Sequence, residues 1–157
     1  ETLSISTSDA KHYIERYLEC YSGVAKFIEK YKKFAKKNGY VKNHFGRVRH
    51  LSHLKDADIE EWQRERGYRQ AVNFVIQSSS ADMFKIILIR CHDILRDKLS
   101  KMVMNIHDEC VFYIHNDEIP LILEIKNAFE DWNFSVPIIA EVSWSDVSWG
   151  DKKPLEL

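Results

Sequence analysis

This 157-residue chain has few cysteines, no long apolar runs and almost no excess of charge of either sign. Its three cysteines lie far apart and form no C-x-x-C pair, which argues against a zinc ribbon and a disulfide framework and fits a reducing cytoplasm. No apolar run reaches the length needed to span a bilayer, and the opening residues do not predict a signal peptide. The net charge of −1 indicates no particular class of partner, while 45% hydrophobic residues are enough for a core.

The first third of the chain has helical periodicity. Ser6 is a candidate N-cap with an acid three residues later, and apolar residues follow at helical spacing. A second helix is expected to end at Asn38, because Gly39 is a good C-terminal stop. The rest of that helix is basic and includes Lys33 and Lys37. This lysine face is either a solvated surface or a track for a phosphate backbone.

Short strands with a turn at Gly46 are predicted after the second helix. Arg47 and Arg49 lie two residues apart, so on a strand they share a face. Two arginines on one face of an exposed hairpin suit a phosphate or carboxylate partner, and they suit a surface salt bridge equally well. In the charged segment that follows, Ile59 and Trp62 are the expected inward anchors.

Three hydrogen-bonding side chains, Arg69, Asn73 and Gln77, lie four residues apart and line one helical face if the helix is unbroken. Side chains of this kind read base edges and sugars, although ordinary helix-surface polarity explains them as well. The triple serine Ser78–Ser80 is a possible N-cap for a further helix over residues 81–99, whose apolar stripe is the clearest in the chain.

Residues 102–114 are predicted to form a strand, a tight turn and a strand, because β-formers flank His107, Asp108 and Glu109. Two carboxylates and an imidazole at a hairpin tip are either a solvated acidic turn or a set of metal ligands. The second interpretation is based on the preference of hard divalent cations for carboxylate oxygens held on a rigid support. From residues 102–114 alone, both interpretations stay open.

The remaining pattern predicts a helix over about 118–132, a strand over 135–144 and a tail over 151–157. The order helix, hairpin, helix, strand predicts an α+β fold in which a small antiparallel sheet is backed by helices.

In their order along the chain, these motifs resemble the C-terminal part of a family A DNA polymerase, the bacterial DNA polymerase I type. Arg69, Asn73 and the run Gln77–Asp82 resemble the family's Arg-x-x-x-Asn-x-x-x-Gln-Gly-Ser/Thr-Ala-Ala-Asp run, and His107-Asp108-Glu109 resembles its palm motif. Further resemblances are Tyr21-Ser22-Gly23-Val24, Asn38-Gly39-Tyr40-Val41, Gly46-Arg47-Val48-Arg49 and Trp149. The resemblance implies a helical, fingers-like part over 1–75 that carries the Gly-Arg hairpin, and a palm-like part over 76–157.

The chain departs from the family pattern at several places. Ser78 replaces a Gly, Val48 an Arg and Val75 a Pro, and the first change could crowd a close backbone approach. The family's second metal-binding Asp, and the fingers helix that holds the incoming nucleotide, lie upstream of the matching segment. Because no initiator Met precedes Glu1, we expect the chain to be cut or processed from something longer.

The resemblance implies template-directed transfer of nucleotides to a primer 3′-hydroxyl with two Mg²⁺ ions. Asp108 is then a Mg²⁺ ligand, and Glu109 is an outer catalytic group because successive strand residues point apart. His107 is expected near the primer terminus as a hydrogen-bond partner. With one strong carboxylate, the isolated chain should hold Mg²⁺ weakly or not at all.

The partners implied by the resemblance are primer–template DNA and a dNTP, with no membrane. The expected DNA contacts are Arg69, Asn73, Gln77, His107, Arg47, Arg49, Lys33 and Lys37. The chain alone is expected to be inactive, either as an excised fragment or as a subunit of a split polymerase whose upstream polypeptide carries the missing motifs.

Two other classes remain open. A non-catalytic DNA-binding module would use the lysine face and the polar set Arg69, Asn73 and Gln77. A metal-dependent phosphohydrolase would use His107 and Asp108, but it needs further ligands at metal spacing. The loose cluster His44, His50 and His53 does not supply them, and the missing C-x-x-C argues against a zinc deaminase.

Overall fold

The computed structural model describes residues 5–157, so the expectation about Glu1 lies outside the described part. The described residues separate into two compact units, one that ends at Ala81 and one over Asp82–Leu157, and the division after residue 75 stays a prediction. The α+β class is confirmed. The helices are α1 (Thr7–Cys20), α2 (Ser22–Asn38), α3 (Glu61–Ile94) and α4 (Leu121–Glu130), and the strands are β1 (Tyr40–Lys42), β2 (Val48–His50), β3 (Lys101–Ile106), β4 (Glu109–Tyr113), β5 (Ser143–Trp144) and β6 (Lys153–Pro154).

The ends of α1 and α2 follow the predicted caps. Ser6 is the N-cap of α1, and its Oγ accepts a hydrogen bond of 3.0 Å from the Asp9 amide. Gly39 ends α2 in the left-handed conformation with φ 72°, which a residue without Cβ adopts at no steric cost. Its amide donates to the Ala35 carbonyl at 2.8 Å.

The first unit has its own apolar core. β1 and β2 pair antiparallel, with Val41 opposite Arg49, and Gly46 takes φ 86° in the turn between them. The buried residues come from α2, from this hairpin and its flank, and from α3; they are Ala35, Val41, Leu51, Leu54, Ala71 and Val75. The core therefore joins the hairpin to the part of α3 that carries the predicted polar face.

One predicted anchor in this unit was wrong. Trp62 is 60% exposed, and Ile59 is only half-buried. Leu51 and Leu54 are buried in their place, because a short 3₁₀ turn over Ser52–Lys55 directs them inward.

The helix over 61–94 is continuous, so the prediction that Ser78–Ser80 cap a separate helix was wrong. Ser78 and Ser79 instead donate their hydroxyls to the carbonyls of Phe74 and Val75, each at 2.6 Å. This bond to the residue four positions back satisfies a serine inside a helix without ending it. The helix ends at Ile94, earlier than the predicted Leu99.

The second unit is built on the β3–β4 hairpin. Its register pairs Ile106 with Glu109 and Met102 with Phe112, with a bulge between Met102 and Met104. Met102, Phe112 and Ile114 pack against a buried cluster. Its members come from α3, from the residue that follows α3 and from α4; they are Ile87, Cys91, Leu95, Leu121, Ile125 and Ala128. One face of the hairpin is thus fixed to helices, as predicted.

The end of the chain differs from the prediction. Residues 135–142 contain no strand in the structure, and only Ser143–Trp144 pairs, antiparallel, with Lys153–Pro154. The segment predicted as a tail therefore contributes β6. Alternating apolar residues predicted a strand there, but alternation supplies no partner for the backbone hydrogen bonds.

By length and composition, α3 is the one helix in residues 5–157 that could cross a membrane, with an 18-residue window of mean hydropathy 1.3. Such a helix is weak evidence, because core helices of soluble proteins also have these properties. Four residues of α3, namely Ala71, Val75, Ile87 and Cys91, lie in the two apolar cores. The absence of a membrane partner stays a prediction.

Candidate functional site

The tip of the β3–β4 hairpin is a two-residue turn made of His107 and Asp108. His107 has φ 55°, a left-handed conformation that is uncommon for a residue with a side chain. Both side chains are exposed. Within residues 5–157 the Asp108 carboxylate makes no hydrogen bond or ion pair, so its oxygens remain open to a ligand.

Glu109, the next residue, has a different environment. Its Oε1 accepts a hydrogen bond of 3.1 Å from Trp149 Nε1 and one of 2.6 Å from Lys152 Nζ. These two bonds, with that from Lys152 the larger cause, lower the pKa of Glu109 below its ordinary value. Two adjacent carboxylates therefore differ, since one is open and the other is occupied by protein donors.

The donor set at the tip fits part of a magnesium site. Mg²⁺ is usually bound by one or two carboxylates together with substrate phosphates and water, and Asp108 supplies one such carboxylate. No three His, Cys, Asp or Glu side chains in the described part of the chain are placed to hold a metal ion. The structure therefore gives no support to a metal site at His44, His50 and His53, or to a phosphohydrolase with a complete ligand set.

The base of the same hairpin is fixed by Glu118. Its carboxylate accepts from the amides of Leu99 and Ser100 at 3.1 and 2.8 Å, and from Ser100 Oγ at 2.6 Å. Ser100 Oγ in turn accepts from the His115 amide at 2.9 Å. Ser100, fully buried, thus bridges the residues just before β3 and just after β4. The hydrogen bonds from Ser100 lower the pKa of Glu118 to about 2.

The first unit brings three predicted contact residues together. Arg49, Asn73 and Gln77 line one open groove of about 390 Å³, with Gln70, Phe74 and Ser78. The Arg49 guanidinium lies over the Phe74 ring, with its Cζ 5.8 Å from the centroid. A cation and two amide side chains therefore face the same space, which suits hydrogen bonds to sugars, phosphates and base edges.

Arg69 and Arg47 do not line this groove. Arg69 is exposed one turn before Asn73 on α3. Arg47 directly precedes β2, so a strand face shared with Arg49 stays a prediction. Its amide donates to Asn43 Oδ1 at 2.8 Å, and Asn43 also accepts from the Phe45 amide. Such Asn-centred bonding shapes a tight turn, which places Arg47 in the turn.

The β1–β2 turn is held on α3 by a serine. The His44 amide donates to Ser79 Oγ at 3.0 Å, while the same hydroxyl donates to the Val75 carbonyl. The turn that precedes Arg49 is thus fixed next to the helix that carries Asn73 and Gln77.

Lys33 and Lys37 are exposed and lie four residues apart on α2. Ala35, on the same helix, is fully buried in the first core. The lysine face is therefore the solvent side of an amphipathic helix, as expected for both of its interpretations.

Two contributors were missed by reasoning from the sequence. Lys152, placed in a tail, donates to Glu109, and no local pattern links residues 43 positions apart. Gln70 lies in the groove beside Asn73. A helical wheel could have found it, because residues i and i+3 are neighbours on a helix.

Comparison with known proteins gives a consistent result. A profile for DNA polymerase family A matches residues 1–151. DNA polymerase I of Treponema pallidum is 33% identical over 155 residues, covering 96% of this chain and 15% of the relative. DNA polymerase I of Caldicellulosiruptor bescii is 31% identical over 157 residues, covering 96% of this chain and 18% of the relative.

A solved structure agrees with these relatives. The POL domain of Pol1 from M. smegmatis, in complex with DNA primer-template and dNTP, matches with a TM-score of 0.74 and 29% identity. The match covers 87% of this chain and 24% of the solved one. The chain therefore spans less than a fifth of the length of the two curated relatives.

Proposed function

Because the chain belongs to DNA polymerase family A, we propose that it contributes part of the active site of a template-directed DNA polymerase. The reaction is nucleotidyl transfer from a dNTP to a primer 3′-hydroxyl. The proposal is supported by the family membership and by the solved relative, which was captured with primer-template and dNTP.

The observation that carries the proposal is the contrast at the hairpin tip. Asp108 is exposed and open to a ligand, whereas the Glu109 carboxylate is already bonded to Trp149 and Lys152. We assign Asp108 as the carboxylate that would hold Mg²⁺. When bound, the ion supplies charge neutralisation and alignment for phosphoryl transfer.

The other residues of the tip have supporting roles in this proposal. His107 directly precedes Asp108 and is exposed in the turn. In this proposal it donates or accepts a hydrogen bond near the primer terminus. Glu109 shapes the electrostatics of the site from the neighbouring position, without binding the ion directly.

The groove of Arg49, Asn73 and Gln77 would contact the primer–template duplex, with Arg69 one turn away. Minor-groove acceptors are similar for all correct base pairs. Neutral amides such as Asn73 and Gln77 therefore check the shape of a pair and ignore its sequence. Arg47, Lys33 and Lys37 would contact phosphates, which adds affinity without selectivity.

Catalysis in this proposal needs the family's second metal-binding Asp and its nucleotide-binding fingers helix. Both precede the region that this chain matches, and they act from the same polypeptide or from a separate subunit. The same proposal divides the chain into a fingers-like part over 1–75 and a palm-like part over 76–157.

The test is primer extension after reconstitution with the preceding polymerase segment of a family member. Asp108→Ala should abolish extension, and Glu109→Ala should reduce it less, because only Asp108 is proposed to bind the ion. If both changes reduce primer extension equally and only mildly, the active-site assignment is wrong. Salt-dependent duplex binding without any incorporation would then favour the alternative of a non-catalytic DNA-binding module, which the exposed lysine face supports.

A further inference from the structure

The C-terminal segment over 143–154 has internal order of its own. β5 and β6 pair through Ser143 with Pro154 and Trp144 with Lys153. Between them, Ser145 Oγ accepts from the amides of Val147 and Ser148 at 3.1 and 3.2 Å. Ser148 Oγ also donates to the Asp151 carboxylate. The segment is therefore a short antiparallel ribbon, whose connecting residues are held by hydrogen bonds among themselves.

This ribbon presents two donors to one acceptor. Trp149 Nε1 and Lys152 Nζ both bond to the same oxygen of Glu109. Lys152 Nζ also lies 4.9 Å from the centroid of the Trp149 ring, a cation–π contact that orients the ammonium. The three side chains form one connected cluster, which we name the Glu109 cluster.

The Glu109 cluster lies beside the proposed metal-binding residue. Glu109 is paired with Ile106 across the hairpin, and Phe112 of the same strand packs into the core. Because strand side chains alternate, Glu109 is on the face opposite Phe112. Its backbone is one residue from Asp108, so a Glu109 side chain released from the cluster could rotate about its side-chain bonds towards an ion at the tip.

We propose that Trp149 and Lys152 are positioning residues that keep the carboxylate of Glu109 away from a divalent cation at Asp108. This inference rests on the proposed function. Mg²⁺ and Mn²⁺ chemistry at such sites relies on open coordination positions for substrate oxygens. A second protein carboxylate would occupy one of these positions and bind the ion more tightly in an unproductive geometry.

The test measures binding of Mn²⁺ alone to the full chain, by electron paramagnetic resonance of the free ion. Lys152→Met removes the charge and the donor but keeps the length of the side chain. It should tighten Mn²⁺ binding by about tenfold. Groups around a metal ligand change its affinity on this scale, although removing a partner that supports a ligand weakens binding, and here the removed group holds a carboxylate away from the ion. Lys152→Arg should restore the wild-type affinity, and the matched control Lys153→Met should leave it unchanged.

A double-mutant cycle separates release of Glu109 from simple loss of positive charge. In the Glu109→Gln background, Lys152→Met should have no effect on Mn²⁺ binding if the cluster acts by holding Glu109. Equal tightening in both backgrounds would overturn the proposal. So would the absence of Mn²⁺ binding in every variant, or equal effects of Lys152→Met and Lys153→Met.

A second measurement follows the cluster without any metal. The indole Nε1–H resonance of Trp149 should shift in Glu109→Gln and in Lys152→Met, and stay in place in Lys153→Met. In the reconstituted polymerase, Lys152→Met should lower kcat with little change in the KM for dNTP. If Asp108→Ala leaves primer extension intact, the proposed function is wrong, whatever the Mn²⁺ affinities of the variants are. If Asp108→Ala abolishes extension but Lys152→Met changes neither Mn²⁺ affinity nor the indole signal, only the role of the cluster fails.

Discussion

Glu118 shows how one side chain can fix the geometry of a hairpin from its base. Three donors from Leu99 and Ser100 converge on its carboxylate. They stabilise the ionised form, so the pKa falls from the ordinary value of 4.5 to about 2. A group whose folded-state pKa is lowered stabilises the fold above its unfolded-state pKa, and this stabilisation is lost as the pH falls towards the folded-state value.

We therefore expect Glu118→Gln to lower the free energy of unfolding near neutral pH. The difference between wild type and variant should shrink as the pH falls from about 4.5 to about 2, because protonation removes the same interaction. Urea unfolding at a series of pH values measures this. Glu156→Gln, an exposed carboxylate near the end of the chain, is the control, and a gap that stays constant across this pH range would contradict the assignment.

Gln77 tests the groove at the same scale. A neutral hydrogen bond contributes about 1 kcal/mol, or roughly a fivefold change in an equilibrium. In the reconstituted enzyme, Gln77→Ala should weaken extension from a matched primer end by about this factor and weaken plain duplex binding less. Ile76→Ala, an exposed neighbour outside the groove, serves as the control. If Gln77→Ala changes only thermal stability, the residue is a structural group.

The predictability of single residues follows the range of their interactions. Ser6 and Gly39 were predicted correctly because caps depend on a few neighbouring residues. His107 and Asp108 could be placed at a turn because apolar β-formers flank them. Lys152 could not be predicted, because its role depends on a contact with Glu109 that tertiary structure creates.

At the scale of the elements, α3 packs closely against the preceding 3₁₀ turn at Gly67. A Cβ at this position would lie 2.6 Å from Leu54 Cδ2 and 2.8 Å from His53 Nε2. Leu54 is only 3% exposed, so it has little room to move. The helix thus packs against the preceding 3₁₀ turn at a point where a side chain does not fit.

We expect Gly67→Ala to destabilise the fold. Overpacking costs about 1–3 kcal/mol, and the better helix propensity of Ala recovers about 1 kcal/mol of it. Gly23→Ala is a matched control in α2, since a Cβ there meets nothing within 4 Å and should be neutral or stabilising. Thermal or urea unfolding distinguishes them, and equal stability of the two variants would contradict the packing argument.

The lysine face of α2 makes a prediction of a different kind. Lys33 and Lys37 are exposed on a helix whose other side is buried. Replacing both with Gln should weaken binding to all duplexes alike and reduce the slope of log K against log salt by about two. Fluorescence anisotropy at several salt concentrations measures this, with Lys11→Gln and Lys98→Gln together as a control of equal charge. Equal slopes in the two double variants would show that the face is merely solvated.

The elements also show what pattern alone misses. The run of three serines predicted a helix boundary, yet Ser78 and Ser79 bond to carbonyls one turn back and the helix continues. The alternation over 135–144 predicted a strand, yet only two residues pair with a partner. In the first case a bond within the same helix decided the outcome, and in the second the position of a distant partner strand did.

At the level of the whole chain, the proposed duplex contacts and the proposed metal-binding residue have different requirements. Contacts to a duplex need only exposed donors, which Arg49, Asn73, Gln77 and the lysine face supply. Nucleotidyl transfer by two metal ions needs a second carboxylate. Within residues 5–157, no three His, Cys, Asp or Glu side chains are placed to hold a metal ion. We therefore expect that this chain can bind a DNA duplex without catalysing nucleotidyl transfer.

We expect the chain alone to bind primer–template DNA in a salt-dependent way and to incorporate no nucleotide. The reason is that duplex affinity comes mainly from cations meeting phosphates, whereas in-line displacement requires both metal positions to be filled. Gel-based primer extension with Mg²⁺ and all four dNTPs, run beside anisotropy on the same DNA, measures both properties in one preparation. Asp108→Ala should leave the DNA-binding curve of the chain unchanged, because Asp108 is proposed to bind the metal ion and not the duplex. Robust extension by the chain alone would mean that it assembles a complete metal site from its own residues, and the proposal that Asp108 needs an upstream partner carboxylate would be withdrawn.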